Sequence, residues 1–343
     1  MPIKTIFNLV VANLFCLLAS SHALACDSNP ETQRPVQKIA VQTNHMLLNR
    51  DFAGLNKMVL EYRNKNALTS DGQPKLMGFY MGIMYSMSDC RKKQPDAEWK
   101  KFHRLLQDWR SASSDKSAAN LSLAMYELEY GWYARGGGYA HEVSEEGWRL
   151  LKERTNNAKI LLDKMGKKER SDPQWYQSRI EVASRETHRG NEYESLYREA
   201  IKKFPNYYEF YFSYASYLTP QWGGSIYAFH KFVDQTVKGS NEKMGRVMYT
   251  RLHWSHADER IFIDGQTDWK RMKSGFEAIL EDFPDSWNRN NFANFACLAK
   301  DKKTFVEQIN IIKEDILSEA WNGPTAPLRC QYEFGLIKGA ISK

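Results

Sequence analysis

Residues 129–148 read EYGWYARGGGYAHEVSEEGW, and this one short stretch gathers several side chains able to do chemistry. Three glycines after Arg135 could cradle a phosphate on backbone N–H groups, and His141 beside Glu142 could form an acid–base pair. The phosphate reading needs glycines that open a helix, usually after a strand, with Lys and Ser or Thr following. Here the preceding segment has helical periodicity and no Gly-Lys-Ser/Thr follows. Ser144 suits an N-cap, and Glu145 and Glu146 suit the positive end of the next helix, where they would repel phosphate. The glycines are therefore expected to close one helix through a positive-φ residue and lead into the next. No obvious nucleophile stands downstream of His141-Glu142, so an acid–base site is not the favoured reading. The link holding Trp132, Arg135, Tyr139 and His141 is instead the best candidate for a recognition loop, because insertions in helical repeats tend to share one face.

Two other stretches invite chemistry. HWSHADE places His253 and His256 three residues apart with Glu259 one helical turn further, but it is not HExxH and no distant third ligand stands out, so no metal is expected. NYYEFYFSYASYL, residues 206–218, sets Tyr207, Tyr211, Tyr214 and Leu218 on one helical stripe, with Phe210 and Tyr217 widening it. A helix apolar nearly all round is expected to be an inner helix packed on both sides. The sharper alternative is a groove in which Tyr207, Tyr211, Tyr214 and the following Trp222 act as binding hot spots. Ser225 is placed to cap the helix after Trp222.

The elements that must position these residues are helices. Apolar residues recur at three- and four-residue intervals from about residue 31, as in VQKIAVQTNHMLL, EWKKFHRLLQDWR and GWRLLKERTNNAKILLDKM, with almost no strand-like alternation. Short breaks fall at Ser70-Asp71-Gly72, Gln94-Pro95-Asp96, Ser111 to Asp115, Arg135 to Gly138 and Ser171-Asp172-Pro173. The expected class is all-α with helix–turn–helix spacing throughout.

Residues 1–25 have the layout of a secretory signal: Lys4, an apolar run from Ile6 to Ala19, then Ala23-Leu24-Ala25. That run is shorter than the ~20 residues a membrane span needs, and no second long apolar segment follows. Cys26 directly after the cut suggests a lipoprotein, but Ala23 and Leu24 stand where a lipobox wants Leu and a small residue, so ordinary cleavage is favoured. The exported chain is then expected in the periplasm or the medium. The formal charge of +7 falls by one with Lys4, and basic and acidic residues interleave, so no basic stripe points to nucleic acid. Of five cysteines, Cys16 leaves with the signal, and Cys26, Cys90, Cys297 and Cys330 remain. Four cysteines in an oxidising compartment favour disulfides, and three pairings are open. Cys297–Cys330 is favoured because both lie on what read as neighbouring C-terminal helices, which leaves Cys26–Cys90. With no CxxC or close Cys/His cluster, zinc is not expected.

Two segments share a finer pattern. ESLYREAIKKFPNYYEFYFSYASYL (194–218) and KSGFEAILEDFPDSWNRNNFANFACLA (273–299) each carry Glu-Ala-Ile in a helix, Phe-Pro at the break and an aromatic-rich helix after it. Ala200 and Ala278 are small where paired helices approach, and Pro205 and Pro284 are suited to opening the second helix. This resembles the tetratricopeptide repeat and implies a right-handed α-solenoid of degenerate helical hairpins. Four ordered stretches, YGWYARGGGYAHEVSEEGW (130–148), DPQWYQSRIEVA (172–183), FPNYYEFYFSYASYLTPQWGGS (204–225) and MYTRLHW (248–254), resemble the bacterial family called domain of unknown function 4034 over roughly residues 115–340. His253 stands where another aromatic would be expected. The resemblance implies a helical, repeat-like fold in envelope or secreted settings and brings no catalytic residues with it. The resulting organisation is a signal peptide (1–25), an N-terminal helical extension (26–114) and a tetratricopeptide-like helical domain (115–343).

The function these readings favour is non-catalytic: a scaffold without cofactor or metal that binds a protein or peptide partner in the envelope, with an immunity or adaptor protein as one concrete version. The alternative is a glycan-binding protein or hydrolase acting on cell-wall material, with aromatic residues stacking on sugars and Glu142, His141 or Glu129 as acid–base groups.

Overall fold

The computed structural model describes residues 34–338, apart from 66, 88–94, 188–189, 259, 264–266 and 322. Among these residues it is all-α, with fifteen α-helices and no strand. The signal segment, Cys26, Cys90 and Glu259 lie outside the described residues. No helix among the described residues is long and apolar enough to cross a membrane.

The chain divides into two compact units. The first takes in residues 36–67 and 73–214, so the 114/115 division read from the sequence falls inside it. Its helices are α1 (Pro35–Leu48), α2 (Phe52–Lys65), α3 (Lys75–Met84), α4 (Asp96–Ala112), α5 (Ser117–Arg135), α6 (Glu145–Asp163), α7 (Pro173–Thr187), α8 (Asn191–Lys203) and most of α9 (Glu209–Tyr217). From α4 to α8 each helix packs on its neighbour in sequence, most extensively α5 on α6, and α5 also meets α3 and α7. Gly131 makes that approach close: a Cβ there would lie 3.0 Å from the Cβ of Arg154. Trp99, Phe79, Leu106, Trp109 and Leu121 are fully buried between the helices. A buried ionic knot ties four of them. Arg63 of α2 donates to Asp172 at 2.5 Å, to Tyr80 of α3 at 2.8 Å and to Ser117 of α5 at 2.8 Å. The Tyr80 hydroxyl also donates to Asp172 at 2.6 Å. Asp172 is fully buried and at the same time accepts from the Gln174 N–H, so it starts α7.

The second unit is residues 215 onward with the short stretches 34–35 and 68–72. It holds α10 (Ile226–Lys238), α11 (Glu242–Ser255), α12 (Trp269–Asp282), α13 (Ser286–Leu298), α14 (Lys302–Ile312) and α15 (Ala326–Glu333). Neighbours in sequence again pair: α10 with α11, α11 with α12 and α13 with α14. Ser225, Asn241, Asp268, Asp285 and Asp301 each cap the helix that follows by accepting a backbone N–H. Such caps satisfy donors that a helix start leaves without partners. Cys297 of α13 and Cys330 of α15 form the expected disulfide, with their Cα atoms 5.9 Å apart and both residues buried.

The two Phe-Pro motifs need a correction. Pro205 and Pro284 do not open the following helices; α9 starts at Glu209 and α13 at Ser286. In the second motif Asp285 sets the start by accepting the Trp287 N–H at 2.7 Å, a stronger terminus signal than proline's fixed φ. In the first motif, residues 205–208 form a turn, and Tyr207 sits before the helix rather than on its stripe. Ala200 and Ala278 are fully buried, as expected of positions where helices approach.

Candidate functional site

The glycine run is the corner between α5 and α6. Gly136 has φ 79° and ψ 171°, a region essentially closed to residues with a Cβ, and its N–H bonds the carbonyls of Trp132 and Tyr133. Of the three only Gly136 has a positive φ; a Cβ at Gly137 would meet nothing within 4 Å, whereas one at Gly138 would lie 2.9 Å from the Glu142 carboxylate. Ser144 caps α6 as expected, accepting the Gly147 N–H at 3.0 Å. Between them Ala140–Glu142 make one 3-10 turn, closed by the Glu142 carboxylate on the Tyr139 N–H at 2.6 Å.

Arg135 organises this tip. Its Nη1 donates to the carbonyls of Gly136 at 2.8 Å and Gly138 at 2.6 Å. The guanidinium lies over two indole rings, 5.1 Å from Trp132 and 5.4 Å from Trp148. Arg185 of α7 lies on Trp132 as well, at 5.8 Å. Tyr139 and His141 stack nearly parallel with their centroids 5.9 Å apart. Tyr139 and Trp148 are 52% and 42% exposed, so the tip presents two aromatic rings to solvent beside the guanidinium. The structure thus brings Trp132, Arg135, Tyr139 and His141 into one tip and adds Trp148, which the sequence reading did not single out. Its position in the first turn of α6, facing back toward Arg135, was not visible before the corner was known.

That geometry does not assemble acid–base chemistry. The Glu142 carboxylate is committed to a backbone N–H, and His141 is exposed and stacked on Tyr139. Glu129 is buried elsewhere in the first unit, beside a small cavity of about 30 Å³ also lined by Tyr80, Gln174, Gln177, Tyr207 and Glu209. Space of that size holds a water or two.

The tyrosine-rich segment is largely interior. Tyr207, Tyr208 and Phe210 are buried, and Tyr211 and Tyr214 are half-buried. Tyr214 stacks on Tyr197 of α8 at 4.2 Å and donates to Glu194 at 2.6 Å. Tyr211 meets Tyr197 edge-on at 6.2 Å. These rings fill the space between α8 and α9. Burial holds the Tyr207 hydroxyl well above its ordinary range, and the charge of Glu209 adds to it. Trp222 ends a 3-10 turn, Pro220–Trp222, and packs on Tyr217 at 5.8 Å. Gly224 after it has no room for a side chain: a Cβ would lie 2.0 Å from the Leu218 carbonyl. Tyr207 lines the small cavity beside Glu129 rather than the α5–α6 tip, and Trp222 belongs to the second unit.

In HWSHADE, His253 is 3% exposed and its Nδ1 lies 3.1 Å from the Thr267 hydroxyl. His256 sits at the end of α11, with Nδ1 3.2 Å from the Leu252 carbonyl and Nε2 3.0 Å from the Ser216 hydroxyl. The Ser255 hydroxyl is closer still to Nδ1, at 2.8 Å, so both ring nitrogens have hydrogen-bonding partners. Phe229 lies against both rings. Burial lowers His253 to about 3 and His256 to about 4, so both are neutral imidazoles at ordinary pH. Among the described residues no three potential metal ligands converge.

Fold and site together define an all-α protein with a rigid aromatic–arginine tip on its longest hairpin. No protein-family model, curated protein or solved structure matches the chain.

Proposed function

We propose that this chain is an exported, non-catalytic helical scaffold that holds a protein or peptide partner in the cell envelope, with the α5–α6 tip as its recognition surface. The observation that carries the reading is the tip itself: exposed Tyr139 and Trp148 beside an arginine locked between two indoles. Trp, Tyr and Arg are the residue types that dominate binding energy at interfaces, and rigid ones lose little entropy on association. Export and solenoid stacking belong to this proposal. The layout of residues 1–25 and the Cys297–Cys330 bond support the first, and the pairing of sequence-adjacent helices supports the second.

The test is site-specific photo-crosslinking in the producing cell, with a photoreactive residue at position 139 or 148 and a control at the exposed Lys303. A discrete adduct from the tip, absent from the control and lost with Arg135→Met, is the expected result. Adducts formed equally from position 303 would remove the tip from its role. Retention on purified peptidoglycan, lost with Trp148→Ala, would replace the protein partner with a glycan.

A further inference from the structure

We propose that Arg135 is a preset receptor for a single carboxylate of a peptide partner, gripped side-on beside the exposed rings of Trp148 and Tyr139. The inference rests on the reading of the tip as a recognition surface and names what that surface takes. The guanidinium is already immobilised by the Gly136 and Gly138 carbonyls and by two indole faces. The carbonyls use only Nη1. Nε and Nη2 make no hydrogen bond or ion pair among the described residues, and neither is buried without a partner, so both reach solvent. Those two nitrogens form the edge of the guanidinium fork that binds both oxygens of a carboxylate in parallel.

Among the described residues the charge on this fork has no counter-ion of its own. Glu142 serves the Tyr139 N–H, and Glu146 holds Arg149 at 2.7 Å. Arg154, one hairpin turn away on α6, shows the contrast: it too lies on an aromatic ring, Tyr130 at 4.4 Å, but Glu127 neutralises it at 3.1 Å. The pKa values follow the same division. Burial lowers both arginines, but at Arg154 the Glu127 carboxylate, with Tyr126 and Tyr130 adding, lifts the net value above the ordinary one, whereas burial alone acts on Arg135. An ordered, half-desolvated and uncompensated guanidinium gains an anion at small conformational cost. A monovalent carboxylate suits it better than a phosphate dianion, because a single arginine sits beside Glu142 of the 3-10 turn and a helix start bearing Glu145 and Glu146. The exposed indole and phenol offer apolar contact to the residue that carries the carboxylate, which favours a peptide over a small free anion.

The test uses the full chain labelled with nitrogen-15 in its tryptophan side chains, with the Trp132 and Trp148 indole signals assigned by single Phe substitutions. N-acetyl-phenylalanine, its primary amide, N-acetylmuramic acid and inorganic phosphate are titrated at constant ionic strength. The acid is expected to shift the Trp148 signal saturably, with the amide roughly ten-fold weaker because it loses the charge-assisted pair. Arg135→Lys keeps the charge without the fork and is expected to weaken the acid about five-fold, while Arg135→Met removes binding. Equal binding of acid and amide to the unaltered protein overturns the proposal, as does undiminished binding by Arg135→Met. Phosphate binding more tightly than the acid overturns the carboxylate assignment, and tighter N-acetylmuramic acid overturns the peptide source. If crosslinking at the tip captures a partner while acid and amide bind alike, only this inference falls; if neither shows binding, the reading of the tip falls with it.

Discussion

Taking the protein from about pH 7.5 to about pH 5 is expected to weaken the second unit, and His253 is the residue to watch. In an unfolded chain a histidine takes up a proton near pH 6.5. Folded, His253 is buried against Phe229 and Tyr249, with burial the largest cause of its lowered pKa and nearby His230, Arg271 and His256 adding to it. Its folded value of about 3 means that the proton binds the unfolded chain alone across the interval between. The stabilisation is whole above roughly pH 6.5 and is lost as pH falls toward the folded value. Integrated to pH 5, that linkage amounts to about 2 kcal/mol for His253. His256 acts in the same direction from its value of about 4, with burial again the largest cause. Asp71 in the same unit works in the opposite sense, because burial raises its carboxyl and folding then favours its protonated form.

A variant therefore isolates the term better than the pH scan alone. His253→Phe restores an aromatic ring, and pairing it with Thr267→Val avoids stranding the hydroxyl that bonds Nδ1. Urea-dependent hydrogen exchange, read on peptides from α10 to α12, reports this unit locally. The double variant should lose about 2 kcal/mol of the difference in stability between pH 7.5 and pH 5, whatever its absolute stability. A difference unchanged from that of the unaltered protein would refute the reasoning, as would a His253 ring that titrates near its ordinary value by NMR.

Asp172→Ala is expected to destabilise the first unit by about 3–5 kcal/mol in urea unfolding, because it leaves Arg63 charged and enclosed. Replacing Arg63 and Asp172 together with Met and Leu should cost less than the single change. Removing the Cys297–Cys330 bond by paired Ala substitution opens a loop with a sequence separation of 33, and denaturant midpoints should report a loss of roughly 2–4 kcal/mol in the second unit. Gly136→Ala should cost about 1–3 kcal/mol in thermal unfolding, whereas Gly137→Ala should be neutral or slightly stabilising.

What could be read from the chain was what depends on neighbours in sequence. The helical class, the Ser144 and Ser225 caps and the closing role of the glycines follow from periodicity and local hydrogen bonding, which act within one or two turns. Cys297–Cys330 was legible for a related reason, since the helices carrying them are few elements apart. The knot of Arg63, Tyr80, Ser117 and Asp172 was not, because its members are separated by up to 109 positions and each looks ordinary alone. Asp172 read only as a break before Pro173, though its buried carboxylate serves the helix start and the knot at once.

The tyrosines show the same limit from the other side. Their spacing marks a helix that packs, but not that hydroxyls such as Tyr214's would be spent on the adjacent helix rather than offered to a ligand. Arg135 inverts that outcome: its sequence neighbours are the very groups that hold it, yet among the described residues no carboxylate closes on it. Local order combined with an unanswered charge separates it from the aromatic–arginine contact of Arg154, where Glu127 supplies the answer inside the fold. The proposed role rests on that combination of a side chain fixed by its own loop with no carboxylate on it among the described residues, which is why the proposal is placed at the tip and not on the richer aromatic segment.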